Sequence, residues 1–244
     1  MKKIVMLIGV VFALAIILPE FAQAKSTQVL IVVTSADQIR AGKPTGLWLE
    51  EFAVPYLKFK EAGFEITTAS IKGGEAPVDP RSLVDQTKVQ GWSLATAALK
   101  KTTPLAKVTP NQFAAIFLPG GHGAMFDLPN NSTLQRLLNQ FARTDKVIAA
   151  VCHGPAGFVG ARKGDGSPLV SGLTVTSFTD EEEKAMKLDK EMPFLLETKL
   201  KEQGAKFVTG EKWANHVEVD GKLVTGQNPA SSGGVADAII QLLK

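Results

Sequence analysis

Three short, uninterrupted apolar runs constrain the fold of this chain more than any other feature. They lie at 29–34 (VLIVVT), 114–118 (AAIFL) and 147–151 (VIAAV). Strands that are continuously hydrophobic, rather than alternating, are buried on both faces, as in parallel sheets covered by helices. The runs therefore predict an α/β fold in which helices connect mainly parallel strands and sandwich the sheet.

The segments between these runs have helical periodicity. In 46–63 the side chains of Phe52, Tyr56 and Phe59 form one apolar stripe, and a second stripe follows at Leu134, Leu137, Leu138 and Phe141. Further helices are predicted at 92–99, 194–203 and 230–243, with strands at 64–70, 173–177 and on both sides of an Asp220-Gly221 turn. The pattern predicts one doubly wound, flavodoxin-like domain, whose site lies beyond the carboxyl ends of the strands.

The N-terminal residues have the pattern of a targeting segment. Lys2 and Lys3 precede an apolar run, Ile4 to Leu18, and Ala22-Gln23-Ala24 then offers small residues to a signal peptidase. The run is shorter than the ~20 residues that span a membrane. We predict a signal peptide at 1–24, one domain at 25–244 and a periplasmic or secreted protein; a retained N-terminal anchor is the alternative.

Charge and cysteine content exclude some classes of function. The formal net charge is +3, and loss of the two lysines and one glutamate of residues 1–24 reduces it to +2. This gives no electrostatic reason to bind nucleic acid, or to stay on an anionic membrane after cleavage. Cys152 is the single cysteine, so no internal disulfide forms. Such a thiol is either buried and inert or kept for its reactivity.

The sequence around Cys152 favours reactivity. The cysteine ends the run 147–151 and is followed by His153-Gly154-Pro155. A nucleophile at a sharp strand-to-helix turn has an exposed side chain and backbone N–H groups facing the substrate. Because the N-terminal dipole of a following helix favours the thiolate, we expect a Cys152 pKa well below the ordinary ~8.5. A merely buried cysteine is the alternative.

Four motifs carry a family resemblance: TGLWLEEFAVPY at 45–56, LPGGHGAMFDLP at 118–129, AAVCHGPAG at 149–157 and LVTGQNPAS at 223–231. Because of these motifs the chain resembles the ThiJ/PfpI superfamily, and within it the branch that contains glyoxalase III and heat-shock chaperones. The resemblance extends from about Val29 to Leu243. The resemblance implies a flavodoxin-like fold, a homodimer, no cofactor, and a site made of a cysteine, the adjacent histidine and a glutamate of the first helix.

On this resemblance the histidine is His153 and the glutamate is Glu51. The chain adds its own argument for Glu51 over Glu50, because Pro55 removes the hydrogen bond to the carbonyl four residues earlier and predicts a kink at Glu51. Apolar neighbours predict a protonated Glu51 that donates to the thiolate. The ring of His153 need not face the thiol, but its backbone N–H can help bind an oxyanion.

The acid that partners the histidine is less clearly marked. Glu181, Glu182 and Glu183 stand together at a helix start, where negative charge suits the helix dipole in any case. By its spacing within the resembling segment, Glu183 fits best.

The glycine motif predicts an oxyanion site. Gly120 and Gly121 allow close backbone approach, and the resemblance implies an oxyanion-binding N–H there. His122 is interpreted as a polar loop residue: a matching histidine helps hold zinc in larger chaperone relatives, but the sequence shows no matching ligand cluster, so no metal is expected. Trp48 and Trp213 are expected in the core or in a pocket wall.

One departure narrows the function. Class I glutamine amidotransferases complete their triad with a late His-Pro-Glu, and this chain has Asn228-Pro229-Ala230 in the corresponding place. His216-Val217-Glu218 lies upstream, near a tight turn, and is a weak substitute. A working glutamine amidotransferase is therefore excluded.

The leading hypothesis is a glyoxalase III-like lyase, of the D-lactate dehydratase type. It converts methylglyoxal, a small aldehyde, to lactate without a cofactor, or repairs early glyoxal adducts as a deglycase. In this hypothesis Cys152 is the nucleophile and Glu51 and His153 move protons. The alternatives are a stress-response holding chaperone, which needs no thiol, and less readily a cysteine peptidase.

Overall fold

The computed structural model describes residues 27–40, 42–129 and 131–244, so the predicted signal peptide lies outside the described residues. The strands are β1 (Gln28–Val33), β2 (Glu65–Ser70), β3 (Thr103–Pro104), β4 (Ala115–Leu118), β5 (Val147–Val151), β6 (Thr174–Val175), β7 (Lys206–Phe207), β8 (Val217–Asp220) and β9 (Leu223–Gly226). Seven of them form one sheet in the order β3-β2-β1-β4-β5-β9-β8, and β6 and β7 pair separately.

The main sheet is parallel except at one edge. Only β8 runs antiparallel, paired with β9 through the Asp220-Gly221 turn. Strand β1 lies between β2 and β4, with Ile31 opposite Thr68 on one side and Phe117 on the other. The residues Val29 to Val33 are completely buried. The continuous apolar runs thus correctly predicted a mainly parallel, flavodoxin-like α/β sheet.

Helices cover both faces of this sheet. They are α1 (Leu49–Glu61), α2 (Gln86–Gly91), α3 (Ser93–Leu99), α4 (Ala124–Asp127), α5 (Ser132–Arg143), α6 (Asp180–Ala185), α7 (Leu196–Glu202) and α8 (Ser232–Leu243). Helices α1, α3 and α8 share one core with Val29, Ile31 and Val33 of β1. Helices α5 and α7 share the other core with Leu30 and Val32. Alternate residues of one strand therefore supply two cores.

Two predicted elements differ in the structure. The predicted strand at 173–177 is reduced to β6, which pairs with β7 outside the main sheet. The predicted helix after Cys152 is only a 3₁₀ turn, Gly154–Phe158. Glycines at 154 and 157 have low helix propensity, and Gly160, at φ +95°, turns the chain away. A single turn aligns few peptide dipoles, so its field at Cys152 is weak.

The described part of the chain holds no helix that combines the length and the apolar character needed to cross a membrane.

Candidate active site

Cys152 lies at the carboxyl end of β5 in a strained backbone conformation. Its φ is +59°, a region that costs a residue with a side chain about 1–3 kcal/mol. Backbone hydrogen bonds hold it there, since its N–H donates to Gly226 at 2.9 Å and its carbonyl accepts from Phe178 at 2.9 Å. The residue is only 3% exposed. Strain that is held by surrounding structure is typical of functional positions.

His153 and Glu183 complete a linear arrangement with the thiol. The Nδ1 atom of His153 lies 3.2 Å from Cys152 Sγ, and its Nε2 atom lies 2.7 Å from Glu183 Oε2. Burial alone would raise the pKa of Glu183, but the charge of His153 and hydrogen bonds from His122 and His153 hold it well below its usual range. A carboxylate on Nε2 orients Nδ1 as a base toward the thiol. The ring does face Cys152, which sequence reasoning left open.

Of the three adjacent glutamates, Glu183 is the one that reaches the histidines. Glu181 is exposed. Glu182 completes a capping box with Thr179 and accepts a hydrogen bond from the Trp213 N–H at 2.9 Å. Helix α6 therefore directs one carboxylate to the site and another to the loop that holds Trp213.

His122 belongs to this hydrogen-bonded cluster, so its interpretation as a polar loop residue is wrong. It is 3% exposed, with Nε2 3.0 Å from Glu183 Oε1 and Nδ1 3.0 Å from Arg81 Nη2. A guanidinium can only donate, so Nδ1 accepts and the proton is on Nε2, which donates to Glu183. Burial and the neighbouring His153 lower the pKa of His122 to about 4, which keeps it neutral.

Arg81 and Asp79 extend the cluster and were missed in the sequence. Arg81 Nε donates to Asp79 Oδ1 at 2.9 Å, and buried Asp79 also accepts from Thr45 Oγ1 at 2.8 Å. Hydrogen bonds thus run from Cys152 to Thr45. The available signal was Asp79-Pro80, a helix N-cap followed by a first-turn proline, in a segment whose periodicity was irregular.

Three of these residues also have donor atoms in reach of one metal ion, contrary to the sequence expectation that no ligand cluster exists. One ligand atom each from His122, His153 and Glu183 lies within 4.8 Å of the others. An ion bound there would replace both histidine–Glu183 hydrogen bonds. Metal binding and the Cys152–His153–Glu183 arrangement therefore exclude each other.

Glu51 approaches the thiol from α1 and is completely buried. Its Oε2 accepts the Gly120 N–H at 2.7 Å, and Oε1 has no hydrogen-bond partner among the described residues. Burial raises the pKa of Glu51 to about 8, so the carboxyl is neutral at pH 7, as its apolar neighbours predicted. Its donation to a Cys152 thiolate stays a prediction. Since the Gly120 N–H is engaged by Glu51, it does not face substrate. Of the two glycines, Gly121 remains a predicted oxyanion donor.

The pKa of Cys152 moves in the direction opposite to the one predicted. Burial raises it well above the ordinary thiol value, the charge of Glu51 adds to this, and the Gly121 N–H opposes it. The sequence argument counted a helix dipole and left out desolvation, which disfavours the anion of an enclosed thiol. The resting site therefore holds a thiol beside a base, rather than a preformed thiolate.

A cavity of about 120 Å³ opens onto Cys152. Its lining comprises Trp48, Gly121, His122, Cys152, His153, Phe178, Met186, Trp213 and Pro229. Both tryptophans are thus pocket wall, and Trp213 is 47% exposed. A second cavity of about 260 Å³ lies at the amino ends of β5 and β9, at the opposite end of the sheet.

The segment Asn228-Pro229-Ala230, which stands where glutamine amidotransferases have His-Pro-Glu, does not contribute a triad residue. Asn228 Nδ2 and Gln227 Nε2 both donate to Glu182 Oε1, at 2.9 and 3.1 Å. His216 lies 3.0 Å from Glu218, away from the pocket lining. The histidine of the site is instead the residue after the nucleophile.

Known proteins are similar to this chain in sequence and in fold. The sequence matches the DJ-1/PfpI family over residues 45–242. The chain belongs to the DJ-1/PfpI family. The glutathione-independent glyoxalase hsp3101 of Schizosaccharomyces pombe is 34% identical over 221 residues, 82% of this chain and 88% of that protein.

Two solved structures of the DJ-1/PfpI fold are also close to this chain. The Rapid Encystment Protein of Francisella tularensis is 35% identical, with a TM-score of 0.85 over 89% of this chain and 99% of that one. Glyoxalase III of Candida albicans is 31% identical, with a TM-score of 0.80 over 88% and 96% of the two chains.

Proposed function

We propose that this protein is a glutathione-independent, glyoxalase III-like lyase that converts methylglyoxal to lactate without a cofactor. The observation that carries the proposal is the hydrogen-bonded series Cys152, His153 and Glu183, with a small cavity in front of Cys152 and a neutral Glu51 buried beside the thiol. Base, nucleophile and acid stand together, as covalent catalysis on a carbonyl requires. The glyoxalase names of two relatives support the same reaction.

In the first step sulfur bonds to the aldehyde carbon. The thiol proton passes to His153 Nδ1, while Glu183 stabilises the imidazolium that forms. Glu51 gives its proton to the aldehyde oxygen, which the Gly121 N–H also contacts. The product is a hemithioacetal, and Glu51 is left as a carboxylate.

The rearrangement then proceeds through an enediol. Glu51 removes the proton from the former aldehyde carbon, and His153 returns its proton to the ketone oxygen. Glu51 next delivers the carbon-bound proton to the adjacent carbon and recovers one from the hydroxyl, which leaves a lactyl thioester. Water, activated by His153, releases lactate and restores the Cys152 thiol.

The direct test is lactate formation from methylglyoxal in the absence of glutathione. We expect turnover by the wild type and none by Cys152→Ser, with unchanged circular dichroism. A holding chaperone needs no thiol. If Cys152→Ser makes no lactate but still suppresses the aggregation of a client protein, the thiol serves the lyase activity and a different surface serves the chaperone activity. Equal lactate formation by wild type and Cys152→Ser would overturn the proposal.

Deglycase activity is tested by comparing the wild type with Cys152→Ser on a glyoxal–amine adduct as the substrate.

We also propose that the chain is exported and that its mature form begins at Lys25. The support is the basic, apolar and Ala22-x-Ala24 pattern of residues 1–24. N-terminal sequencing of protein from fractionated native cells should find Lys25 outside the cytoplasm. An intact Met1 in the cytosolic fraction would contradict it.

We further propose a homodimer. Its support is the exposure of apolar Val84 and Leu94, at 82% and 55%, since exposed apolar groups favour an interface. Sedimentation should give twice the chain mass, and a monomer at micromolar concentration would contradict this.

A further inference from the structure

The cavity in front of Cys152 has apolar outer walls, and one of them, Trp213, is 47% exposed at its mouth. We propose that the preferred substrates are neutral 2-oxoaldehydes that carry an aromatic or branched apolar group on the ketone carbon, with Trp213 as a specificity-determining residue. This inference rests on the proposed glyoxalase function and names the substrate class of the same site.

The volume of the cavity is the first argument. At about 30 Å³ for each water-sized group, 120 Å³ accommodates about four such groups. Methylglyoxal, with three carbons and two oxygens, therefore fills the cavity. A larger group on the ketone carbon would extend through the mouth of the cavity and over Trp213, which is 47% exposed.

The chemistry of the lining is the second argument. Cys152, His153 and Gly121 supply the reacting and polar groups of the cavity, whereas Trp48, Phe178, Met186 and Trp213 supply its apolar walls. No lysine, arginine or carboxylate side chain is among the described residues that line it. A carboxylate or phosphate on the substrate would therefore be desolvated without a partner, while an apolar group would be stabilised.

Aromatic rings extend in series from the reacting atoms to the mouth of the cavity. The Phe178 ring lies 4.5 Å from the His153 ring, and the Trp213 ring lies 5.7 Å from Phe178, measured between centroids. These distances are in the range of favourable aromatic contacts. A ring attached to the ketone carbon would continue the series and cover part of the half-exposed Trp213.

Trp213 is held as a wall. Its backbone N–H donates to buried Glu182 at 2.9 Å, and Glu182 also accepts from Asn228 and Gln227. The φ of Trp213 is +63°, which these contacts maintain. Because the backbone that carries the indole ring is fixed, contact with substrate costs less ordering entropy.

The reaction balances as it does for methylglyoxal. The aldehyde carbon of phenylglyoxal is oxidised to the acid, the ketone carbon is reduced to the alcohol, and one water adds. The product is mandelate, which chromatography distinguishes from lactate.

The experiment compares kcat/KM for phenylglyoxal and methylglyoxal, without glutathione, in four proteins: wild type, Trp213→Ala, Trp213→Phe and Val219→Ala. We expect the wild type to prefer phenylglyoxal by about tenfold or more. Trp213→Ala should reduce this ratio at least about fivefold, and Trp213→Phe should keep most of it. Val219, exposed to a similar extent but outside the cavity, is the matched control, and its variant should keep the wild-type ratio.

The outcomes separate the two proposals. A wild-type ratio at or below one, or a ratio that Trp213→Ala leaves unchanged, overturns the inference and leaves the glyoxalase function standing. If neither substrate is converted above the Cys152→Ser background, the proposed function itself fails, and the substrate inference fails with it.

Discussion

At the scale of single residues, Glu51 shows how burial creates an acid that works near neutral pH. The carboxyl is enclosed completely, and one oxygen has no described partner. A carboxyl that is neutral at pH 7 can donate a proton to an aldehyde oxygen and then act as the base, both within one cycle.

Replacing this acid should separate proton transfer from thiol chemistry. We expect Glu51→Gln to lower kcat about 10²- to 10⁴-fold, because the amide cannot carry the proton. The charge of Glu51 raises the pKa of Cys152, so the pH midpoint of iodoacetamide labelling should be lower in the variant than in the wild type. Full turnover by the variant, or a higher midpoint, would contradict this role.

His122 is a positioning residue, since it acts on the reaction through Glu183. We expect His122→Leu to lower kcat about 10- to 100-fold, the usual effect of losing an orienting partner. The hydrogen bond from His122 lowers the pKa of Glu183. Its loss should therefore raise that pKa and move the acid limb of the kcat–pH profile to higher pH.

The conservative variant distinguishes this effect from a loss of packing. In His122→Gln, the amide oxygen can accept from Arg81 and the amide nitrogen can donate to Glu183, as the two ring nitrogens do. The glutamine variant should recover both the wild-type kcat and the wild-type position of the acid limb of the kcat–pH profile. Equal profiles in the leucine and glutamine variants would show that His122 only fills space.

At the scale of elements, the turn after β5 depends on close backbone contact. A Cβ added at Gly154 would lie 2.0 Å from the Leu118 carbonyl oxygen of β4. Since neither strand end can move without disturbing the sheet, the position of Cys152 depends on this glycine.

Gly154→Ala should therefore destabilise the protein. Overpacking of this kind costs about 1–3 kcal/mol, or roughly 2–10 °C in Tm for a chain of this size. Gly233→Ala in α8 is the matched control, because its Cβ would come no closer than 3.7 Å to Lys58, and it should be neutral or slightly stabilising. Equal Tm values for Gly154→Ala and wild type would contradict the packing argument.

At the scale of the whole molecule, the buried acid makes stability depend on pH. The folded pKa of Glu51, about 8, is above its ordinary value of 4.5. Between these pH values the folded state keeps a proton on Glu51 that the unfolded state releases. The contribution of Glu51 to the free energy of unfolding is therefore complete below pH 4.5 and is lost as pH rises to about 8.

Glu51→Gln should remove this dependence. We expect similar Tm values for wild type and variant near pH 5 and a higher Tm for the variant at pH 8.5, by about 5 °C or more. Calorimetry at the two pH values measures the difference, in which contributions from other groups, such as Asp127, cancel. A Tm difference that does not change with pH would place the Glu51 pKa near its ordinary value.

Local pattern was sufficient for the sheet and for the position of Cys152. Continuous apolar runs define doubly buried strands. The choice of Glu51 came from the family resemblance, and the proline four residues later supported it. These inferences need only residues that are close together in the chain.

Tertiary structure alone decided that His122 and Arg81 join the site and in which direction the Cys152 pKa moves. It also brings His153 to Glu183, the glutamate that the resemblance favoured among three neighbours. Arg81 and His122 are 41 residues apart, and His122 and Glu183 are 61 apart. Hydrogen bonds across such separations, and the desolvation of a thiol enclosed by several elements, depend on how those elements pack. Periodicity and spacing report the elements themselves, whereas pKa and proton position depend on what surrounds them.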